Sequence, residues 1–66
     1  MPVKVRELLR QLAADGWVVI RQRGSHRQLA HPTKSGTVTV AGHPSDTLSP
    51  GTERSIRRQA GLADRI

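Results

Sequence analysis

The stretch Arg21-Gln22-Arg23-Gly24-Ser25-His26-Arg27 puts one imidazole just after a tight-turn signal and among three guanidinium groups. Histidine takes and gives protons near neutrality, because its unperturbed pKa is about 6.5. Arginine presents paired donors that suit phosphate. A base beside cations is a minimal set for cutting RNA. The base would take the proton of a ribose 2′-OH, and the cations would stabilise the charge that builds on phosphorus. His26 is the catalytic candidate. Arg21, Arg23, Ser25 and Arg27 are candidate RNA contacts, and Gly24 belongs to the turn that presents the histidine. The plainer alternative is a wet, charged sheet face with no chemistry, the default for exposed polar strand residues.

Other chemistries find less support. His31 precedes Pro32 and reads as structural, at a strand end. His43 precedes Pro44 in a loop, as a second polar contact or none. No two histidines have the i, i+4 spacing of a helical metal motif, and cysteine is absent, so no metal site is expected. Ser25 lacks the context of a nucleophile, and there is no glycine-rich phosphate loop.

The elements that must position His26 follow from periodicity and punctuation. Val5, Leu8, Leu9 and Leu12 form an apolar stripe at helical spacing, which predicts a helix over 4–14 closed by Gly16. Residues 17–23 are too short and too β-branched for a helix and read as a strand. Gly24-Ser25 turns the chain into a second strand, 26–31. Thr37-Val38-Thr39-Val40 alternates with period two and anchors a third, 37–41. Ala41 to Leu48 reads as an irregular loop. Ser49-Pro50 looks like an N-cap followed by proline at the first helical position, opening a helix over 50–60 that Gly61 closes. Thr52, Ile56, Gln59 and Ala60 make its weak inward stripe. The expected fold class is α+β: a three-stranded antiparallel sheet in the order α-β-β-β-α, with both helices on one face. That is the shape of the double-stranded-RNA-binding (dsRBD-like) fold, an analogy of layout.

Strand parity sharpens the picture. Leu29, Val38 and Val40 should face the helices, which leaves His26, Gln28, Ala30, Thr37 and Thr39 on the open face. The first strand is ambiguous, since Trp17 and Val19 compete with Val18 and Ile20 for the core. If Val18 and Ile20 point inward, Trp17, Val19, Arg21 and Arg23 line the open face.

Size and charge set the frame. Sixty-six residues read as a single domain, 1–66, with a thin core. Eleven Lys and Arg against five Asp and Glu give a net charge of +6, which attracts polyanions such as nucleic acid, or an acidic protein. The strongest apolar run, Trp17 to Ile20, is far short of a membrane span, and no secretory signal is visible. A cytoplasmic protein is expected, with no membrane partner.

Together the motifs resemble a known family. Asp15-Gly16-Trp17, Arg21-Gln22-Arg23-Gly24-Ser25-His26, His31-Pro32, Gly36-Thr37-Val38-Thr39-Val40, Gly51-Thr52, Ser55-Ile56 and Arg58-Gln59-Ala60-Gly61-Leu62 are similar, in order and over nearly the whole chain, to the HicA family of type II toxin-antitoxin mRNA interferases. The resemblance implies a dsRBD-like fold, a metal-independent endoribonuclease acting on mRNA to arrest translation and growth, and no cofactor. It also implies a HicB-like antitoxin that covers the active site of a monomeric toxin. The family's active-site histidine maps onto His26, and its turn onto Gly24 and Ser25. Glu53 and Arg57 stand where such chains often carry apolar residues, and Ala41-Gly42 where proline is usual. Two further readings differ in class: a non-catalytic RNA-binding module, and a protein-interaction domain whose charge serves a partner alone.

Overall fold

The computed structural model describes residues 2–62. Helix α1 (Val5–Asp15) leads into strands β1 (Val18–Arg23), β2 (His26–Ala30) and β3 (Thr37–Ala41), and helix α2 (Pro50–Ala60) follows. The strands form one antiparallel sheet in the order β1-β2-β3, the meander expected from the short connections. Leu8, Leu12, Leu29, Val38 and Val40 are fully buried between the sheet and the helices, with Ile56 and Ala60 of α2. Thr37, Thr39 and Ala41 alternate with the buried valines and face solvent, as period-two patterning requires.

The caps explain where the helices stop. Gly16 and Gly61 hold left-handed φ values of 108° and 67°, closing α1 and α2. At Gly16 the absence of a side chain is also a matter of space, because a Cβ there would lie 2.9 Å from Nε2 of His31. Ser49 caps α2 by accepting a hydrogen bond from the Thr52 amide, and Pro50 opens the helix. Helix α1 has no side-chain cap. Its first amides are taken up by the segment after β3: Val5 N–H donates to Asp46 O at 2.9 Å and Arg6 N–H to Pro44 O at 3.1 Å. Lys4 bridges Thr47, and Val3 and Leu48 are buried together with the core. That segment is therefore tied down over the start of α1.

The ambiguity of the first strand is resolved, and the stripe expected on α2 is corrected. Trp17 does not line the open face. It is 2% exposed and joins the core, meeting the His31 ring edge-on at 5.2 Å between centroids. Val18 and Ile20 do not point inward, each being 59% exposed. A bulge reconciles a buried Trp17 with outward arginines: Val19 pairs with Leu29 but Arg21 with Gln28, so Ile20 is an extra residue without a partner. Finally, the inward side of α2 is not Thr52, Ile56, Gln59 and Ala60. Thr52 and Gln59 are exposed, and Ile56, Arg57 and Ala60 are buried.

His31 has the structural place expected of it. Its Nδ1 accepts from the amides of Thr33 and Lys34, each at 3.1 Å, so Nε2 carries the proton it donates to Asp15 O at 2.7 Å. Lys34 reaches from the same loop to the Asp15 carboxylate at 2.6 Å and to Ala60 O at 3.0 Å. The ends of α1 and α2 and the β2–β3 loop are thereby fastened together. The Lys34 hydrogen bond holds the Asp15 carboxyl below its ordinary value, against the opposing effect of burial.

Candidate functional site

On the open face, Arg21, Arg23, His26, Gln28 and Thr39 line one depression of about 280 Å³. The register explains the grouping. His26 lies directly opposite Arg23, and Gln28 lies between Arg21 on β1 and Thr39 on β3. Directly opposed residues on one face have Cβ atoms about 4.5–5.5 Å apart, within reach of a shared ligand. The other neighbour of His26 is Ala41, whose methyl group leaves the imidazole uncrowded on that side. The volume falls just under the ~300 Å³ at which small-molecule pockets begin.

The β1–β2 turn presents the histidine. Gly24 has φ 55° and Ser25 a negative φ, the pattern of a hairpin turn that places glycine at its first central position. Gln22 donates its side-chain amide to Gly24 O at 3.1 Å, bracing the turn from β1. The Gly42 amide donates to Ser25 O at 3.2 Å, tying the turn to the end of β3.

Two sequence-predicted contacts lie elsewhere. Arg27 points to the helix side, opposite Val40, and is 9% exposed. Its guanidinium donates to Gly42 O at 2.9 Å and to Ser25 O at 3.3 Å. It therefore braces the turn from beneath and does not stand beside His26. Residues next to each other in a strand point to opposite faces, which is why His26 and Arg27 part company. Ser25 is half-buried in the turn, outside the lining of the depression. Conversely, parity puts Gln28 and Thr39 on the open face, but nothing in their spacing marks them as contacts.

The electrostatics favour an anionic ligand. Among the described residues, the four carboxylates are engaged elsewhere: Glu7 with Arg10, Asp15 with Lys34, Glu53 with Arg57, and Asp46 with the amide of His43. Arg21 and Arg23 are exposed and enter no ion pair with a described residue, so their charge is left for a ligand. His26 likewise makes no side-chain hydrogen bond to a described residue. No cluster of three potential metal ligands occurs among the described residues. An exposed acid–base group, two uncompensated cations and two neutral hydrogen-bonding side chains can bind a phosphodiester and move a proton on it.

The family model for the HicA toxin of bacterial toxin-antitoxin systems matches residues 5–62. The chain belongs to the HicA toxin family. The match spans every element from α1 to α2, so it includes the depression and the turn behind it. None of the curated proteins compared with this HicA-family chain matches it. The α-β-β-β-α order and the three-stranded antiparallel sheet agree with the fold that the resemblance implies. Of the departures noted in the sequence, Glu53 and Arg57 lie away from the depression and pair with each other on α2, with Arg57 Nε donating to Glu53 Oε2 at 2.8 Å. Ala41, by contrast, is paired with His26, and Gly42 is hydrogen-bonded to Ser25 of the turn and to Arg27. No described helix is long and apolar enough to cross a membrane.

Proposed function

We propose that this HicA-family toxin is an endoribonuclease that cuts mRNA at the open sheet face, with His26 as its acid–base group. The observation that carries the reading is the grouping of His26, Arg23 and Arg21 in one solvent-open depression, with no carboxylate of the described chain compensating the arginines. His26 accepts the proton of a ribose 2′-OH. The 2′-oxygen then attacks the adjacent phosphorus, the bond from phosphorus to the 5′-oxygen breaks, and that oxygen takes a proton from water or from the imidazolium. The products are a 2′,3′-cyclic phosphate and a free 5′-OH. The arginines neutralise the non-bridging oxygens as charge builds there. No step calls on a metal ion or cofactor, and the substrate places the toxin in the cytoplasm.

The antitoxin partner is a HicB-like protein that covers this face. Two features suit a protein cover. The arginines would attract an acidic surface, and Val18 and Ile20, exposed on β1, offer apolar area beside them.

The mechanism is tested by the 2′-oxygen it requires. Purified toxin with a chelator is expected to cleave single-stranded RNA, leaving cyclic phosphate ends, and to spare a strand with 2′-deoxyribose at the cleaved position. Cleavage of the deoxy-substituted strand at the same phosphate would overturn the chemistry. Binding without any cleavage would favour the RNA-binding module instead.

The two faces of the sheet give a second expectation. Arg23→Ala should weaken RNA binding and lower the slope of log K against log salt by about 0.7, the value of one phosphate contact on a single strand. Arg27→Met should leave that slope unchanged and reduce cleavage, because the buried guanidinium holds the turn and not the ligand. A changed slope in the Arg27 variant would place that guanidinium on the RNA.

A further inference from the structure

Gln28 stands on the central strand, lining the depression with Arg21 and Thr39 as its cross-strand neighbours. Neither its amide nor the Thr39 hydroxyl makes a hydrogen bond to a described residue, yet both face the site. Two residues along a strand separate same-face side chains by about 6.7 Å, so Gln28 sits one such step from His26. A carboxamide carries a donor and an acceptor side by side. It adds no charge to a site that already holds two guanidinium groups, so phosphate gains little from it. Its complement is a group with an acceptor beside a donor, which is what every nucleobase shows on its Watson–Crick edge once unpaired.

We propose that Gln28, assisted by Thr39, seats one unpaired nucleobase of the RNA next to the phosphate that His26 acts on, through the base's hydrogen-bonding edge. The inference rests on the ribonuclease reading and adds the part of the substrate that reading leaves open. It has two consequences. The substrate must be single-stranded at this position, although the fold has the layout of a duplex-binding domain. The toxin also has a base-dependent subsite without an aromatic platform, since its one tryptophan is in the core.

The test is a cycle between enzyme and substrate, because only a direct contact makes the two losses overlap. In an RNA oligonucleotide with one mapped cleavage site, each nucleotide in turn is replaced by its abasic form. For the natural chain, one position beside the cleaved phosphate is expected to lose about tenfold in kcat/KM, a typical worth for one paired base contact. Gln28→Ala should lose a similar factor on the intact oligonucleotide and less than twofold more on that abasic one. Thr39→Val should show a smaller overlap at the same position. The same scan is read by binding affinity on strands with 2′-deoxyribose at the cleaved position, so the result does not depend on cleavage. If Gln28→Ala and the natural chain lose equally at every abasic position, in both readouts, the seat is wrong. Failure of the ribonuclease reading looks different: the natural chain would then bind the oligonucleotide without cutting it, and the abasic scan would still be read by affinity.

Discussion

Replacing His26 by Ala is expected to leave a folded, RNA-binding protein that no longer cuts RNA or arrests growth. The side chain is exposed, lies outside the core and makes no hydrogen bond to a described residue. Surface changes of this kind stay within about ±0.5 kcal/mol of the original stability. The turn keeps its shape, because it is fixed by Gly24, by the Gly42 amide on Ser25 O and by Arg27 beneath it. RNA affinity should fall little, since Arg21 and Arg23 remain. The rate is the quantity at risk: loss of a positioned acid–base group costs about 10²–10⁴-fold. Single-turnover cleavage, RNA affinity and the thermal midpoint should be measured on the same preparation. Cleavage at the original rate would remove His26 from the mechanism, and a large drop in thermal midpoint would mean that it supports the fold.

How far this site could be read from the chain depends on what sets each side chain's direction. Regular alternation places Leu29, Val38, Val40, Gln28, Thr39 and His26 on their correct faces, because nothing interrupts β2 or β3. Helix ends are equally legible, since Gly16, Ser49-Pro50 and Gly61 each carry a local backbone preference. Strand β1 is different. Trp17 to Ile20 are four apolar residues in a row, and no alternation survives in such a run. The tertiary structure decides it by burying Trp17 against His31 and inserting Ile20 as a bulge. The bulge is what returns Arg21 and Arg23 to the open face. Arg27 illustrates a second limit. Proximity in sequence to His26 suggests a shared ligand, yet one step along a strand reverses the face. Its burial depends on two carbonyls, one of them fifteen residues away, which no local pattern reveals. The segment after β3 shows a third limit. Its proline and glycine signal a loop, but its hydrogen bonds to the start of α1 are long-range.

The same reasoning gives a sharp expectation for α2. A single Glu53→Ala substitution should destabilise the fold by about 3 kcal/mol, near the low end for breaking a buried ion pair. The low end applies because Glu53 keeps 17% of its side chain exposed, against 5% for Arg57. Removing the carboxylate strands a buried guanidinium whose Nη2 already lacks a hydrogen-bond partner among the described residues. Domains carry on the order of 0.05–0.15 kcal/mol per residue, so this 66-residue chain has on the order of 3–10 kcal/mol to lose. The loss takes between about a third and all of that, so the single variant should unfold at a clearly lower urea midpoint than the natural chain. The double variant Glu53→Leu/Arg57→Leu should behave in the opposite way. It removes both charges, and leucine favours a helix interior. Replacing a buried pair by apolar residues is neutral or stabilising by about 1–4 kcal/mol. Urea unfolding of the natural chain, the single and the double variant separates the cases. Additive losses in the double variant would show that Glu53 and Arg57 contribute packing independently. A stable double variant that still cleaves RNA would show that the pair has no part in the chemistry.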